Sequence, residues 1–128
     1  MSEKSVAHKL LVREGHKVLI LNPPRGYKEK NLGSLPKTAV FLKDSKGPAD
    51  VIQVFVSSKK ELEEQLAKLK PSLGSTSILW VTYPKGTSKI KSDVNRDVIR
   101  EYAPTVGLEA VSIFSVDDDW SALRLKLV

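Results

Sequence analysis

The sequence predicts a single α/β domain of three layers, with a mostly parallel sheet that ends in an antiparallel hairpin. Three observations support this class. Short aliphatic runs alternate with amphipathic segments, an order typical of parallel strands joined by crossover helices. Only three residues, Asp117 to Asp119, separate the last two predicted strands, which suits a hairpin turn and leaves no room for a crossover. The 128 residues suffice for one domain, which we place over 1–128.

The chain opens with a short helix and a buried strand. Apolar residues at helical spacing over 6–11 predict a helix that ends near Gly15. The aliphatic run over 17–22 is too short for a helix and is followed by two prolines, so we expect a buried strand there. The stretch 23–36 is rich in Pro, Gly, Lys and Asn and is typical of a long loop.

Two further strands and a helix follow. A second strand is predicted over 38–42, and the β-branched run over 49–56 predicts a central parallel strand. Ser58 and Glu61 have the spacing of a capping box, in which the serine caps a helix and the glutamate reaches back. Leucines then recur every three or four residues up to Leu73, which predicts an amphipathic helix.

The last third of the chain predicts a strand, a helix and a hairpin. The apolar run over 77–83 is the fourth buried strand. Ser92 or Asp93 is the expected cap of the second large helix, because both residue types accept hydrogen bonds from helical amides. The alternating patterns over 108–116 and 120–127 predict the two strands of the hairpin.

Composition excludes several classes of function. The chain has no cysteine, which rules out disulfides, a thiol nucleophile, iron–sulfur clusters and cysteine-ligated zinc. Its apolar runs are far shorter than the roughly 18 to 20 residues of a membrane span, and its first residues are polar, so we expect a cytoplasmic protein without membrane contact. His8 and His16 stand at no metal-ligand spacing to other residues, so we expect no metal.

The chain is basic, and the excess charge lies in its first part. The formal net charge is +6, and residues 1–50 contain ten Lys or Arg against five Asp or Glu. Such asymmetry can steer anions to one surface, although scattered lysines also simply keep a small domain soluble. Nucleic-acid binding is disfavoured, because only Tyr27 and Phe41 lie among these cations and base stacking requires aromatic side chains.

Several motifs carry a resemblance to known families. The strand ADVIQVFV, the passage LKPSLGSTSILWVTYPK and the terminal hairpin are similar to the second half of Rossmann-like, S-adenosylmethionine-dependent methyltransferases. The whole chain also resembles a family of small bacterial proteins of unknown function, through VLILNPPRGY, ILWVTYPKGTSKIKSDVNRDVIRE and DDDWSALR. The resemblance implies a truncated methyltransferase-like fold and supplies no activity.

The turn after the first strand argues against methyl transfer. Methyltransferases that resemble this fold hold their cofactor over a glycine-rich turn at this point, where missing side chains let the backbone approach. The turn over 22–27 has one glycine and two prolines, and proline removes amide donors. Asp44, after the second strand, stands beside Gly47 and Pro48 and is more typical of a turn. We therefore expect no cofactor and no catalytic residue.

Ligands of open α/β sheets collect beyond the carboxyl ends of the parallel strands. Three loops should meet at that edge, together with two helix N-termini, at Ser58 and Asp93, whose unpaired amides attract anions. Polar loops occur at this edge in every such domain, so a structural role for them stays open. The candidate ligand-binding residues are Asn22, Arg25, Tyr27, Ser57, Tyr83, Lys85 and Lys89.

The leading hypothesis is a non-catalytic module that binds a small anionic ligand at this edge. Arg25 and Lys85 would hold the anion, because a guanidinium binds phosphate or carboxylate through two hydrogen bonds at once. Replacing Arg25 by alanine should then abolish binding and leave the fold intact. The alternative is a scaffold for protein interaction or regulation that has no small-molecule ligand.

Overall fold

The apolar segments of the sequence form a six-stranded sheet, and a hydrophobic cluster covers each of its two faces. The computed structural model describes residues 6–27, 35–42, 49–74, 77–86 and 92–128. The strands are β1 (Lys17–Leu21), β2 (Val40–Phe41), β3 (Val51–Phe55), β4 (Ile78–Pro84), β5 (Leu108–Ser115) and β6 (Trp120–Leu127). The helices are α1 (Val6–Lys9), α2 (Lys59–Leu69) and α3 (Arg96–Tyr102), and 3-10 turns over Lys70–Ser72 and Ala103–Val106 follow the last two.

The sheet order is β2-β1-β3-β4-β6-β5. The first four strands in that order run parallel to one another, whereas β6 runs antiparallel to both β4 and β5. Every residue of β3 is buried, because the strand has a neighbour on each side and chain on each face. The predicted architecture, a mostly parallel sheet with a C-terminal antiparallel hairpin, is confirmed.

Helices α2 and α3 cover one face of the sheet. The leucine stripe of α2 turns Leu62, Leu66 and Leu69 into the core, where they join Ile99 of α3 and alternate residues of β3 such as Ile52. Each fully buried leucine or isoleucine contributes about 1.5 to 3 kcal/mol. The apolar stripe that the sequence predicts is thus the face by which α2 packs on the sheet.

The opposite face carries a thinner layer. Its cover comes from residues near α1 and from Tyr27, which pack with Phe55 and with both tryptophans. The Trp80 Nε1–H donates to the Leu10 carbonyl at 3.0 Å, which ties the start of the chain to the middle of the sheet. The Phe55 ring meets Tyr27 and Trp120 edge to face, with centroids 4.7 and 5.1 Å apart.

A chain of hydrogen bonds crosses this second face beneath the aromatic rings. The Tyr27 hydroxyl donates to Gln53 Oε1 at 2.7 Å, and Gln53 Nε2 donates to Thr82 Oγ1 at 2.9 Å. Gln53 and Thr82 are completely buried. A buried amide without partners would be costly, so Tyr27 and Thr82 are the residues that make a central glutamine compatible with the core.

Two elements are shorter than the sequence predicts. Helix α1 has four residues, and Leu11, two residues after its end, adopts a left-handed φ of 71°, which stops the helix before Gly15. Strand β2 has two residues, both exposed at the edge of the sheet, where its backbone bonds to β1 alone among the described strands. The predicted hairpin turn is confirmed: Asp117 Oδ1 accepts the Trp120 backbone N–H at 2.9 Å.

Candidate functional site

The order of the parallel strands reverses between β1 and β3. From β1 the sheet extends to β2 on one side and to β3 and β4 on the other, and such a switch point is the usual ligand crevice of an open α/β sheet. Asn22 follows β1 directly, and Ser57 lies just beyond β3. These are the two candidate residues that the fold brings to the switch point itself.

The turn after β1 directs its aromatic residue into the core. The Tyr27 amide donates to the Pro24 carbonyl at 3.0 Å, and Gly26 has a φ of 79°, as the third residue of a type II turn requires. Asn22 also has a positive φ, of 56°, which asparagine tolerates better than most residues.

This turn separates the residues that were predicted to act together. Arg25 and Asn22 are exposed, whereas Tyr27 is only 3% exposed and its hydroxyl is bonded to Gln53. Burial raises the pKa of the Tyr27 hydroxyl strongly, against the smaller opposing effect of the Gln53 hydrogen bond. The structure therefore places Tyr27 in the core rather than at the rim.

The expectation of unpaired amides at the start of α2 is wrong for two of them, those of Lys59 and Glu61. The Ser58 side chain accepts the Glu61 amide at 3.1 Å, as predicted, and the Lys59 amide donates to Asp93 Oδ1 at 2.7 Å. Glu61 Oε1 in turn accepts both the amide and the hydroxyl of Ser57, at 3.1 and 2.7 Å. The carboxylates of Asp93 and Glu61 thus already occupy the place of an external anion at this end of the helix.

The expected cap of α3 is also wrong. Neither Ser92 nor Asp93 caps this helix; Asn95 does, accepting the Val98 amide on its side-chain oxygen at 2.9 Å. Asp93 instead serves the other helix, and Ser92 accepts the amide of Val94 in a local turn at 3.0 Å. The helix therefore starts at Arg96, two residues later than an Asp93 cap implies.

A cavity of about 410 Å³ opens at the carboxyl end of β4. We name it the β4 cavity. Two of its residues, Tyr83 and Lys85, were predicted from the sequence. Gly86 follows β4, and the others come from the cap and first residues of α3 and from the hairpin. The lining residues are Tyr83, Lys85, Gly86, Asn95, Arg96, Asp97, Ile113 and Ser121.

Tyr83 forms the inner wall of the β4 cavity. Its side chain is buried, and it shares a side-chain hydrogen bond with Ser121, the residue opposite it on β6. Burial raises the pKa of the Tyr83 hydroxyl, Arg96 and the Ser121 hydrogen bond oppose that rise, and Asp97 adds to it. The hydroxyl therefore stays protonated at physiological pH and can donate a hydrogen bond.

Two cations lie at the mouth of the cavity. The Lys85 ammonium donates to the Ser115 hydroxyl at 2.5 Å, and the Lys85 backbone amide donates to the Asp119 carbonyl at 2.8 Å. Arg96 Nε lies 3.8 Å from the neighbouring Asp97 carboxylate, and both side chains are more than half exposed. An exposed pair at that distance is weak, so the guanidinium can turn toward a ligand.

The remaining candidate residues are not in the described lining of this cavity. Asn22 and Arg25 stand on the turn after β1, and Ser57 is engaged by Glu61. Lys89 lies outside the described residues. Arg96 was not among the residues predicted from the sequence, because an Asp93 cap would have put it inside the helix rather than at its exposed first position.

The described residues contain neither a candidate membrane helix nor a cluster of metal-binding side chains. No helix in this part of the chain is both long and apolar enough to span a bilayer. Across the same residues, no group of three or more His, Asp or Glu is arranged to hold a metal ion.

Solved structures share the fold at low sequence identity. A protein of the NADB-Rossmann superfamily from Streptococcus agalactiae superimposes with a TM-score of 0.57 at 11% identity, covering 99% of this chain and 69% of that one. The Methanococcus jannaschii fibrillarin pre-rRNA processing protein gives 0.63 at 11%, covering 91% and 68%. An S-adenosylmethionine-dependent methyltransferase from Aquifex aeolicus gives 0.59 at 14%, covering 96% and 88%.

These similarities show a Rossmann-like, methyltransferase-like fold that is shorter than those solved chains. No curated protein matches the chain by sequence. A family model described as "protein of unknown function (DUF3052)" matches residues 30–127, which is most of the sequence and includes β2 to β6. The chain therefore belongs to the DUF3052 family.

Proposed function

We propose that this protein is a non-catalytic, methyltransferase-like module that binds a small anionic ligand at the carboxyl edge of its sheet. The observation that carries the proposal is the β4 cavity, in which Lys85 and Arg96 stand beside the Tyr83 and Ser121 hydroxyls. Cavities of about 300 to 1,000 Å³ are typical of small-molecule sites, and 410 Å³ lies within that range.

The polar groups of the cavity favour an anion with several oxygen atoms. A guanidinium and an ammonium can each donate to phosphate or carboxylate oxygens, the first through two parallel hydrogen bonds. The Tyr83 hydroxyl is neutral and adds a donor or acceptor at the inner wall. Asp97, the one carboxylate among the described lining residues, lies on the solvent side, with a side chain 80% exposed.

The switch point supports the non-catalytic part of the proposal. The turn after β1 contains two prolines, which cannot donate backbone hydrogen bonds. Its aromatic residue, Tyr27, is buried in the hydrophobic cluster on one face of the sheet. Two amides at the start of α2, those of Glu61 and Lys59, are bonded to Ser58 and Asp93. A cofactor at the switch point would have to displace these contacts, whereas the β4 cavity is open.

Isothermal titration calorimetry at low salt tests the proposal. The probes are inorganic phosphate, AMP, ribose 5-phosphate and S-adenosylmethionine. We expect at least one of the three phosphates to bind, and Arg96→Gln and Lys85→Gln each to weaken that binding about tenfold or more, the loss expected of a charge-assisted hydrogen bond.

The matched control is Lys68→Gln, which removes one positive charge from the exposed side of α2. It should change the affinity for phosphates less than twofold. The proposal fails if none of the three phosphates binds, or if Lys68→Gln weakens binding as much as Arg96→Gln does. Binding of S-adenosylmethionine alone would instead favour methyl transfer.

A further inference from the structure

We propose that the free edge of β5 binds an extended acidic segment of a partner protein as an added β-strand. This surface goes beyond the small-ligand site, although the two adjoin at Arg96 and Ile113. Three features of the described residues support this inference: an edge strand with no second strand beside it, a groove next to that strand, and the positive charge that borders the groove.

Strand β5 is a long edge strand with little to protect it. It has eight residues, about 27 Å of chain, and among the described strands it pairs with β6 alone. Natural edges are usually shielded by charged side chains, proline or short length. Here the one charged residue is Glu109, near the start, while Val111 and Ile113 are 44% and 46% exposed.

The second half of β5 presents its backbone outward. The Val116 amide donates to the Trp120 carbonyl at 2.9 Å, which fixes the alternation of the antiparallel ladder beyond the irregularity between Ala110 and Ser112. By that alternation, Ile113 and Ser115 direct their amides and carbonyls away from β6. These groups form an open template for another strand.

A groove of about 200 Å³ runs between this strand and α3. We name it the β5 groove. Apolar side chains form its floor, and two arginines of α3 border it. Its lining residues are Arg96, Arg100, Ala110, Val111, Ser112, Ile113 and Leu123, so the described lining contains no carboxylate.

The charge of the β5 groove selects the partner. Arg96 and Arg100 are four residues apart on α3, so both reach the same side of the helix. An added strand places alternate side chains toward α3, and Asp or Glu at those positions would meet the guanidinium groups. The complementary segment is therefore extended and acidic, with β-branched residues at intervening positions.

A second copy of this chain is the less favourable occupant. Antiparallel pairing of two β5 strands about a two-fold axis perpendicular to the sheet would place both copies of α3 on one face. The four arginines would then face each other across the new seam, and each copy already carries a net charge of +6. An acidic partner replaces that repulsion by attraction.

The test uses a capped eight-residue peptide in which glutamate and valine alternate. Its two counterparts have lysine in place of glutamate, or all eight amides N-methylated. In ¹H–¹⁵N correlation spectra at low salt, we expect the acidic peptide to shift the amides of Ile113, Ser115 and Arg100. We expect it to bind at least tenfold more tightly than either counterpart.

Protein variants separate this surface from the small-ligand site. Arg100→Glu should weaken the acidic peptide at least tenfold and leave phosphate binding unchanged, because Arg100 does not line the β4 cavity. Lys68→Glu, on α2, makes the same change of sign on another surface and should change peptide affinity less than twofold.

Three outcomes would overturn the inference. If the lysine peptide binds as tightly as the acidic one, the arginines do not select the partner. If the N-methylated peptide binds as tightly, the segment does not bind as an added β-strand. Shifts of the β5 amides with protein concentration alone would identify a second copy as the occupant.

Discussion

Several polar side chains near the switch point are bonded within the chain. Tyr27 supports Gln53, and Asp93 and Glu61 serve the amides at the start of α2. By contrast, Lys85 and Arg96 stand at the mouth of an open cavity. The Lys85 ammonium has further donors besides its bond to Ser115, and the exposed contact of Arg96 with Asp97 is weak, so both cations remain available to a ligand.

Tyr27→Phe tests the buried hydrogen-bond chain. The substitution keeps the ring that packs on Phe55 and removes the hydroxyl that donates to Gln53 Oε1. A buried amide oxygen then loses a partner, and we expect the free energy of unfolding to fall by about 1 to 3 kcal/mol. Urea denaturation measures it. A change within about 0.3 kcal/mol would show that Gln53 does not depend on Tyr27.

The same hydroxyl makes stability depend on alkaline pH. Because burial raises the pKa of Tyr27 in the folded state above the usual value near 10, the unfolded chain loses this proton first. The stabilisation is complete below about pH 10 and is lost as the pH rises further. Between about pH 9 and pH 11, the free energy of unfolding should therefore fall more for the wild type than for Tyr27→Phe. Equal falls would contradict the assignment.

Arg25→Ala tests how far the ligand site extends. The sequence predicts that this arginine holds the anion, whereas the structure places it on the exposed turn after β1. Calorimetry on this variant and on Arg96→Gln distinguishes the two arrangements. Comparable losses of phosphate affinity support a site that reaches the switch point, and an unchanged affinity in Arg25→Ala confines the ligand to the β4 cavity.

At the scale of the element, helix α2 depends on a residue far along the chain. Asp93 accepts the Lys59 amide across a sequence separation of 34 residues. Its carboxylate satisfies one of the first amides of the helix and complements the helix dipole. The loop before α3 is thereby fixed to the start of α2.

Asp93→Ala should lower the free energy of unfolding by about 0.5 to 2 kcal/mol, the usual effect of losing a side-chain acceptor at a helix N-terminus. Asp118→Ala is the matched control, since it removes an exposed carboxylate from the hairpin turn and should have an effect within about 0.5 kcal/mol. Thermal or urea denaturation checks both. Equal effects of the two substitutions would show that the contact with Lys59 contributes nothing.

Local patterns predict the elements whose signal is contained in a few neighbouring residues. The leucine stripe and the Ser58–Glu61 cap identify α2, and the three acids identify the hairpin turn. The role of Asp93 was not predictable in this way, because its partner is a tertiary neighbour. For the same reason the β4 cavity could be predicted only in part, through Tyr83 and Lys85, while Arg96 comes to it through packing.

For the whole molecule, the sheet order accounts for the methyltransferase-like fold and also for the position of the two proposed binding surfaces. The strand order β2-β1-β3-β4-β6-β5 belongs to the fold that this chain shares with solved methyltransferases. The DUF3052 family model matches residues 30–127 of the chain. The same order leaves β5 at one edge, beside the cavity and the two arginines of α3. Both proposals therefore place binding at the hairpin side of the domain rather than at the switch point.

A ¹H–¹⁵N titration of the protein at low salt with inorganic phosphate, AMP and ribose 5-phosphate in turn locates the anion site most directly. If the β4 cavity is the anion site, the amides that shift will cluster at Lys85, Gly86, Arg96, Asp97 and Ser121, and the shifts will disappear in Arg96→Gln. If the shifts instead cluster over 22–26 and at Ser57, or if no amide shifts, the β4 cavity is not the ligand site.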